Sequence, residues 1–186
     1  MEYQEIIEKI KPELDKVISY LRGELAKIRT SRPSASLLEG LEVECFGKKL
    51  SLKSLGLISL SEGQELFIQP WDASYLPAIE KAISQSSLQA SVIVEKDRIR
   101  VRFPPLSEEV RKNLGRILSQ KGEEAKKTVR HWRQIVWREI QEKFSEGEIT
   151  EDDKYKGKNE LQKLIDEYNQ RIEEMVEKKK KEIIKG

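Results

Sequence analysis

Ser107–Phe144 reads SEEVRKNLGRILSQKGEEAKKTVRHWRQIVWREIQEKF, with no proline and two isolated glycines, Gly115 and Gly122. At about 100° per residue, Val110, Leu114, Ile117, Leu118, Ala125, Val129, Trp132, Ile135 and Val136 share one arc. Arg111, Lys112, Arg116, Lys126, Lys127, Arg130, Arg133 and Arg138 occupy the flank beside it, over about 180°. The spacing predicts a helix about 55 Å long with one apolar stripe and one basic flank. Glu123, Glu124 and Glu139 do not alternate with those cations. Lys112, Arg116, Lys126, Lys127, Arg130 and Arg133 are therefore expected to lack regular acidic partners on their own helix.

A basic rod needs an anion on one face and a core on the other. Guanidinium forks engage phosphates bidentately, and a rigid rod suits structured RNA read by shape and backbone. No predicted strand carries more than one aromatic, too few for a stacking platform, which argues against single-strand reading. The plainer alternative is a solvated face. The whole chain has a formal net charge of only +2 over 186 residues, so any nucleic-acid affinity comes from this local pattern. Within Ser107–Phe144 ten Lys/Arg stand against six Asp/Glu.

Outward from this stretch, residues 2–30 read as another helix. Ile7, Ile10, Leu14, Val17, Leu21, Leu25 and Ile28 form a near-heptad seam, with a mild kink expected at Pro12. A third helix runs from 151 to about 184 on Leu161, Leu164, Ile165, Tyr168, Ile172, Met175 and Val176. Ser107 and Thr150 are the expected N-caps, each followed by acids. Three apolar stripes bury best against each other, as a bundle.

Between the first two helices the pattern changes to strand alternation. LEVECF (41–46) and KKLSLKSL (48–55) flank Gly47 as a hairpin; LISL (57–60) and ELFIQP (65–70) follow. Residues 72–86 form a short helix capped by Asp72, and SVIVEKD (91–97) with RIRVRF (98–103) closes the unit. Nine Lys/Arg balance nine Asp/Glu over 31–104. The expected division is a bundle of 1–30 with 106–186 and an insert of 31–105. TSRPSAS (30–36) and Pro104-Pro105 act as linkers and imply a hinge.

Catalysis finds little support. His131 is the single histidine and Cys45 the single cysteine, which excludes an internal disulfide and disfavours a transition-metal site. The pairs Glu108/Glu109, Glu123/Glu124 and Asp152/Asp153 are explained by caps and solvated faces. Trp132 is expected in the core, Trp137 over arginine stems or against a partner, and Trp71 covering the edge of the insert. MEYQEIIEKIKPELDK at the N-terminus has no signal-peptide core, so a cytoplasmic protein of a reducing compartment is expected.

Four stretches together are similar to one known family. They are IRTSRPSASLLEGLEVECFG (28–47), FPPLSEEVRKNL (103–114), VRHWR (129–133) and EITEDDKYKGKNELQKL (148–164). They resemble, in order, IRTGRAxPxLLDxxxVxYYG, PPLTEERR, VRNxRR and ISEDDxxxxxxxxQKLTD of the bacterial ribosome recycling factor family. The resemblance implies an α+β fold: a long antiparallel three-helix bundle with an inserted small β/α/β domain, hinged, L-shaped and tRNA-like. It implies no catalytic residue, metal or cofactor. The implied partners are the 70S ribosome, the 50S subunit through its ribosomal RNA, and elongation factor G, with no membrane, and the factor is a monomer.

The family's RNA-gripping arginines map onto Arg111, Arg130 and Arg133, and the basic flank adds Lys112 and Lys126. The hinge maps onto Arg29, Thr30, Ser31, Arg32, Pro33, Pro104 and Pro105. Gln134 stands where the family has arginine, Ile135-Val136 where it has Asp-Ala, and His131 where it has Asn. Ser31 and Pro33 replace the usual Gly and Ala, so a stiffer hinge is expected. The alternative to recycling is a basic coiled-coil RNA-binding chaperone or adaptor.

Overall fold

The computed structural model describes residues 2–30, 32–62 and 64–184. Ser31, one of the hinge candidates, lies outside the described residues. The fold is α+β, and the chain divides into two compact units. One comprises Met1–Leu25 with Gly115–Lys180; the other comprises Ala26–Leu114 with Lys181–Gly186.

The first unit is built from α1 (Glu2–Ala26), α5 (Glu108–Ser145, from Gly115 onward) and α6 (Glu151–Ile184, to Lys180). Helix α5 runs antiparallel to both partners. Lys9 and Lys121 pair with Glu139 and Glu24 across α1, and Arg133 and Lys126 reach Gln162 and Glu173 on α6. Tyr3, Ile6, Ile7, Ile10, Leu14, Ile18, Leu21 and Leu25 are the buried side of α1. Ile6 and Ile18 join the predicted seam, while Val17 and Ile28 are only half-buried. Each fully buried Leu or Ile contributes about 1.5–3 kcal/mol. Helix α1 continues through exposed Pro12 and stops at Ala26, four residues before the expected end. The residues after it are engaged elsewhere: Thr30 Oγ1 donates to the Arg32 carbonyl at 2.7 Å and Arg29 donates to the Pro104 carbonyl.

Burial on α5 is narrower than its apolar arc and rotated from it. Leu118, Gly122, Ala125, Val129, Val136 and Ile140 are buried, within about 30° of a line close to Arg111 on the wheel. Val110, Ile117 and Ile135, on the far edge of the arc, are 39%, 42% and 38% exposed. Two short stops frame the helix pair. Ser107 Oγ accepts from the Val110 amide at 3.3 Å. At the start of α6, Thr150 and Asp153 exchange bonds: Asp153 N donates to Thr150 Oγ1 at 3.2 Å, and Thr150 N to Asp153 Oδ2 at 3.2 Å.

The second unit holds α2 (Ser36–Glu39), β1 (Glu42–Cys45), β2 (Lys48–Ser51), α3 (Leu52–Leu55), β3 (Gly56–Leu60), β4 (Leu66–Pro70), α4 (Leu76–Ser84), β5 (Ser91–Val94) and β6 (Ile99–Arg102). Strands β1 and β2 form a separate hairpin; the other four make an antiparallel sheet in the order β3-β4-β6-β5. The core gathers Leu38, Val43, Leu52, Leu55, Leu66, Ile68, Ile79, Ile83, Ile99 and Val101. The predicted strand 48–55 is thus half strand and half helix. Leu52 and Leu55 are both buried, and a spacing of three puts them on one helical face but on opposite faces of a strand. Asp72 caps the 3-10 turn Ala73–Tyr75, accepting from Ser74 N at 2.9 Å, before α4 begins.

Candidate nucleic-acid interface

The rotation of α5 sorts its cations by depth. Arg133 and Lys126, at about 40° and 60° from Arg111 on the wheel, flank the buried stripe, and both are half-buried. Arg133 donates from Nε to Gln162 Oε1 at 3.1 Å, and Gln162 in turn donates to Asp166 at 2.8 Å. This fixes the arginine without neutralising it. Lys126 is different. Its ammonium lies 2.6 Å from Glu173 on α6 and 3.8 Å from Glu123. Lys112 pairs with Glu108 at 3.4 Å.

The expectation of unpartnered cations therefore fails for Lys112 and Lys126. Glu108 precedes Lys112 by one helical turn and Glu123 precedes Lys126 by three residues, while Glu173 adds a closer contact from a second helix that a wheel of α5 does not contain. It holds for Arg130. That side chain is exposed and has no carboxylate or hydrogen-bond partner among the described residues, as do Arg116, Lys127 and Arg138 on the same outward quarter. Arg111 sits half-buried at the start of α5, within the second unit, and its Nε is buried without a partner. Lys158 was not among the predicted cations. It is exposed and has no partner among the described residues, and it lies on α6 one turn before the Gln162 that holds Arg133, so α6 extends the face.

His131 is exposed, edge-on to Trp132 at 6.1 Å. Trp132 is half-buried rather than core; it lines a groove with Val17, Tyr20, Leu21 and Ala125. Trp137 is half-buried, and Trp71, expected over the edge of the insert, is 67% exposed. No group of three His, Cys, Asp or Glu able to hold a metal occurs among the described residues. The arrangement offers phosphates a row of charges.

The hinge candidates are brought together within the second unit. Arg29 donates to the Pro104 carbonyl and lies 5.4 Å over the Phe103 ring. Burial lowers its guanidinium pKa, and its Nε is buried without a partner. Thr30 and Pro33 are buried, whereas Arg32, Pro104 and Pro105 are exposed.

A family model described as Ribosome recycling factor matches residues 21–184. The ribosome-recycling factor of Aquifex aeolicus is 41% identical over 184 residues, covering 98% of this chain and 97% of that one. That of Chlorobaculum parvum is 34% identical, covering 99% of each. A solution structure of a ribosome recycling factor superposes with a TM-score of 0.77 at 39% identity, covering 100% of this chain and 99% of that one. A second structure, described as models of the Thermus thermophilus (T. thermophilus) ribosome recycling factor and the E. coli elongation factor G bound to the E. coli post-termination complex, gives 0.69 at 31% identity, covering 98% and 99%.

Proposed function

The chain belongs to the ribosome recycling factor family, and from that premise we propose that it splits post-termination ribosomes into subunits together with elongation factor G and GTP, releasing messenger and transfer RNA. It is a translation factor rather than an enzyme; GTP is hydrolysed by elongation factor G. It works in the cytoplasm, and no helix among the described residues is long and apolar enough to cross a membrane.

The observation that carries the contact with ribosomal RNA is the free outward quarter of α5. Arg130, with Arg116, Lys127 and Arg138 beside it, is exposed and has no carboxylate to satisfy it among the described residues. Such charges release counterions when they meet phosphates, which supplies affinity without sequence reading. Arg133, braced by Gln162, gives the same surface a fixed fork. The linkers 30–36 and 103–106 act as the hinge through which a push on the insert is turned into strain at the subunit interface.

The test is subunit splitting of post-termination ribosomes with a cognate elongation factor G and GTP, followed by light scattering. Splitting that needs all three components is expected; its absence would overturn the reading.

A further inference from the structure

Trp137 on α5 stands at about 80° from Arg111 on the wheel, between Arg133 at about 40° and Arg130 at about 100°. The bond from Arg133 to Gln162 fixes the register of the antiparallel helices α5 and α6. One helical turn from that bond, Trp137 comes level with Lys158 on α6. Tyr155, three residues before Lys158, continues the same stripe of α6. The seam between the two helices therefore interleaves cations and rings: Arg130, Arg133 and Trp137 from one, Lys158 and Tyr155 from the other.

Elsewhere in the chain, rings beside cations are covered by them. Lys154 lies 4.3 Å over Phe144, Arg98 4.3 Å over Phe67 and Arg171 5.1 Å over Tyr168. Trp137 and Tyr155 differ. Neither makes a hydrogen bond, a ring contact or a cation–π contact among the described residues. Trp137 is half-buried, so packing holds it in place, and Tyr155 is 65% exposed. The cations are equally unspent. Arg130 and Lys158 have no partner among the described residues, and Arg133 gives only its Nε to Gln162. Among the described residues, carboxylates enter the seam only at its ends. Glu151 lies at the start of α6, and Asp166, beyond Gln162, accepts from that amide at 2.8 Å.

Free rings among free cations suit a ligand that is flat, aromatic and anionic at once. A nucleotide is all three: its base offers a π-face and its phosphate the charge. Bases inside a duplex are already stacked on each other, so the ligand is an unpaired stretch, a loop or bulge of structured RNA. A protein surface could cover the rings, but it would have to supply carboxylates to three cations at the same place.

We propose that Trp137 and Tyr155 stack on unpaired bases of large-subunit ribosomal RNA, with the adjoining phosphates held by Arg130, Arg133 and Lys158. This rests on the reading of the chain as a recycling factor and adds base contacts to the phosphate contacts of α5.

Stacking releases no counterions, so salt separates it from charge. Trp137→Leu and Tyr155→Leu should each weaken binding to 50S subunits about tenfold, with the slope of log affinity against log salt unchanged. Trp137→Phe and Tyr155→Phe, which keep a ring, should retain most of the affinity. Tyr155 has no internal contact to lose, so Tyr155→Leu should melt with the wild type and test the proposal even where Trp137→Leu unfolds. Ultraviolet irradiation of the wild-type complex should join position 137 or 155 directly to a nucleotide that is unpaired in the subunit, mapped by peptide mass spectrometry and reverse-transcription stops. Wild-type affinity in Tyr155→Leu, a shallower salt slope in either leucine variant, or adducts confined to paired nucleotides or to ribosomal proteins would each overturn the proposal. A wild-type factor that does not bind 50S subunits at all would instead overturn the recycling reading beneath it.

Discussion

Gly122 on α5 faces Val176 on α6 so closely that a Cβ at position 122 would come within 2.9 Å of the valine Cγ2. The glycine therefore sets how near the two helices pack. Gly115, seven residues earlier on the same helix, has nothing within 4 Å of the same construction. The two positions should respond oppositely to alanine. Gly115→Ala should stabilise by about 0.5–1 kcal/mol through helix propensity. Gly122→Ala gains the same propensity but forces a stiff β-branched side chain aside, and should be net destabilising by about 1–2 kcal/mol. Urea unfolding of both variants checks the contrast, and equal shifts would mean that the contact does not limit the packing.

The cations of α5 divide into free and committed, and salt dependence should reveal the division. Arg130→Ala removes a charge with no partner among the described residues, so the plot of log affinity for 50S subunits against log salt should become about 0.7–0.9 less steep. Lys126→Ala removes a charge already held by Glu173 and Glu123. Its slope should change by less than half as much, while its fold loses an ion pair worth about 0.2–1 kcal/mol. Pelleting across a salt series distinguishes the two; equal slopes for both variants would dissolve the distinction.

The parts of this molecule that sequence could not supply are those requiring a second element. Periodicity located all three long helices and the insert, because each depends on its own residues: the caps Ser107 and Thr150 sit where their hydroxyls and following acids place them. It also found Arg130 and Arg133 as outward or flanking cations. It could not place Glu173 beside Lys126, since no wheel contains a neighbouring helix. Nor could it separate strand from helix at Leu52–Leu55, where alternation in KKLSLKSL satisfied the strand pattern and only the shared core decided. Trp132 reads as core from its spacing, yet the buried stripe turns away from it and leaves it in a groove.

The Thr150–Asp153 box predicts an acid-sensitive α6. Side-chain and then backbone donation from Thr150 hold the Asp153 carboxyl below its ordinary pKa. A lowered folded-state pKa gives stability that is complete above the unfolded value, about 3.9, and lost as the pH falls through the folded one. Asp153→Asn should therefore melt at a lower temperature than the wild type at neutral pH. The gap should close below about pH 4 as the wild-type carboxyl takes up its proton. Thermal melts at a series of pH values test this; a gap that persists in strong acid would assign the loss to packing instead.

Arg29 clasps both linkers. Its guanidinium donates to the Pro104 carbonyl and stacks over Phe103, so residues adjoining 30–36 and 103–106 are fastened to each other by one side chain. The bond is charge-assisted and the ring contact needs a planar cation, a combination lysine cannot reproduce. Arg29→Lys should therefore behave almost as Arg29→Met, each losing about 1–2 kcal/mol. Both should raise amide exchange in residues 27–34 and 103–107 more than in the sheet core at Ile68 and Ile99, which are fully buried. Pro33 restricts the first of these stretches, and this clasp is a second restraint on it. Hydrogen exchange followed by mass spectrometry measures it. Wild-type protection in Arg29→Lys would show that charge suffices, and uniform loss across the unit would show that Arg29 supports the whole insert rather than its linkers.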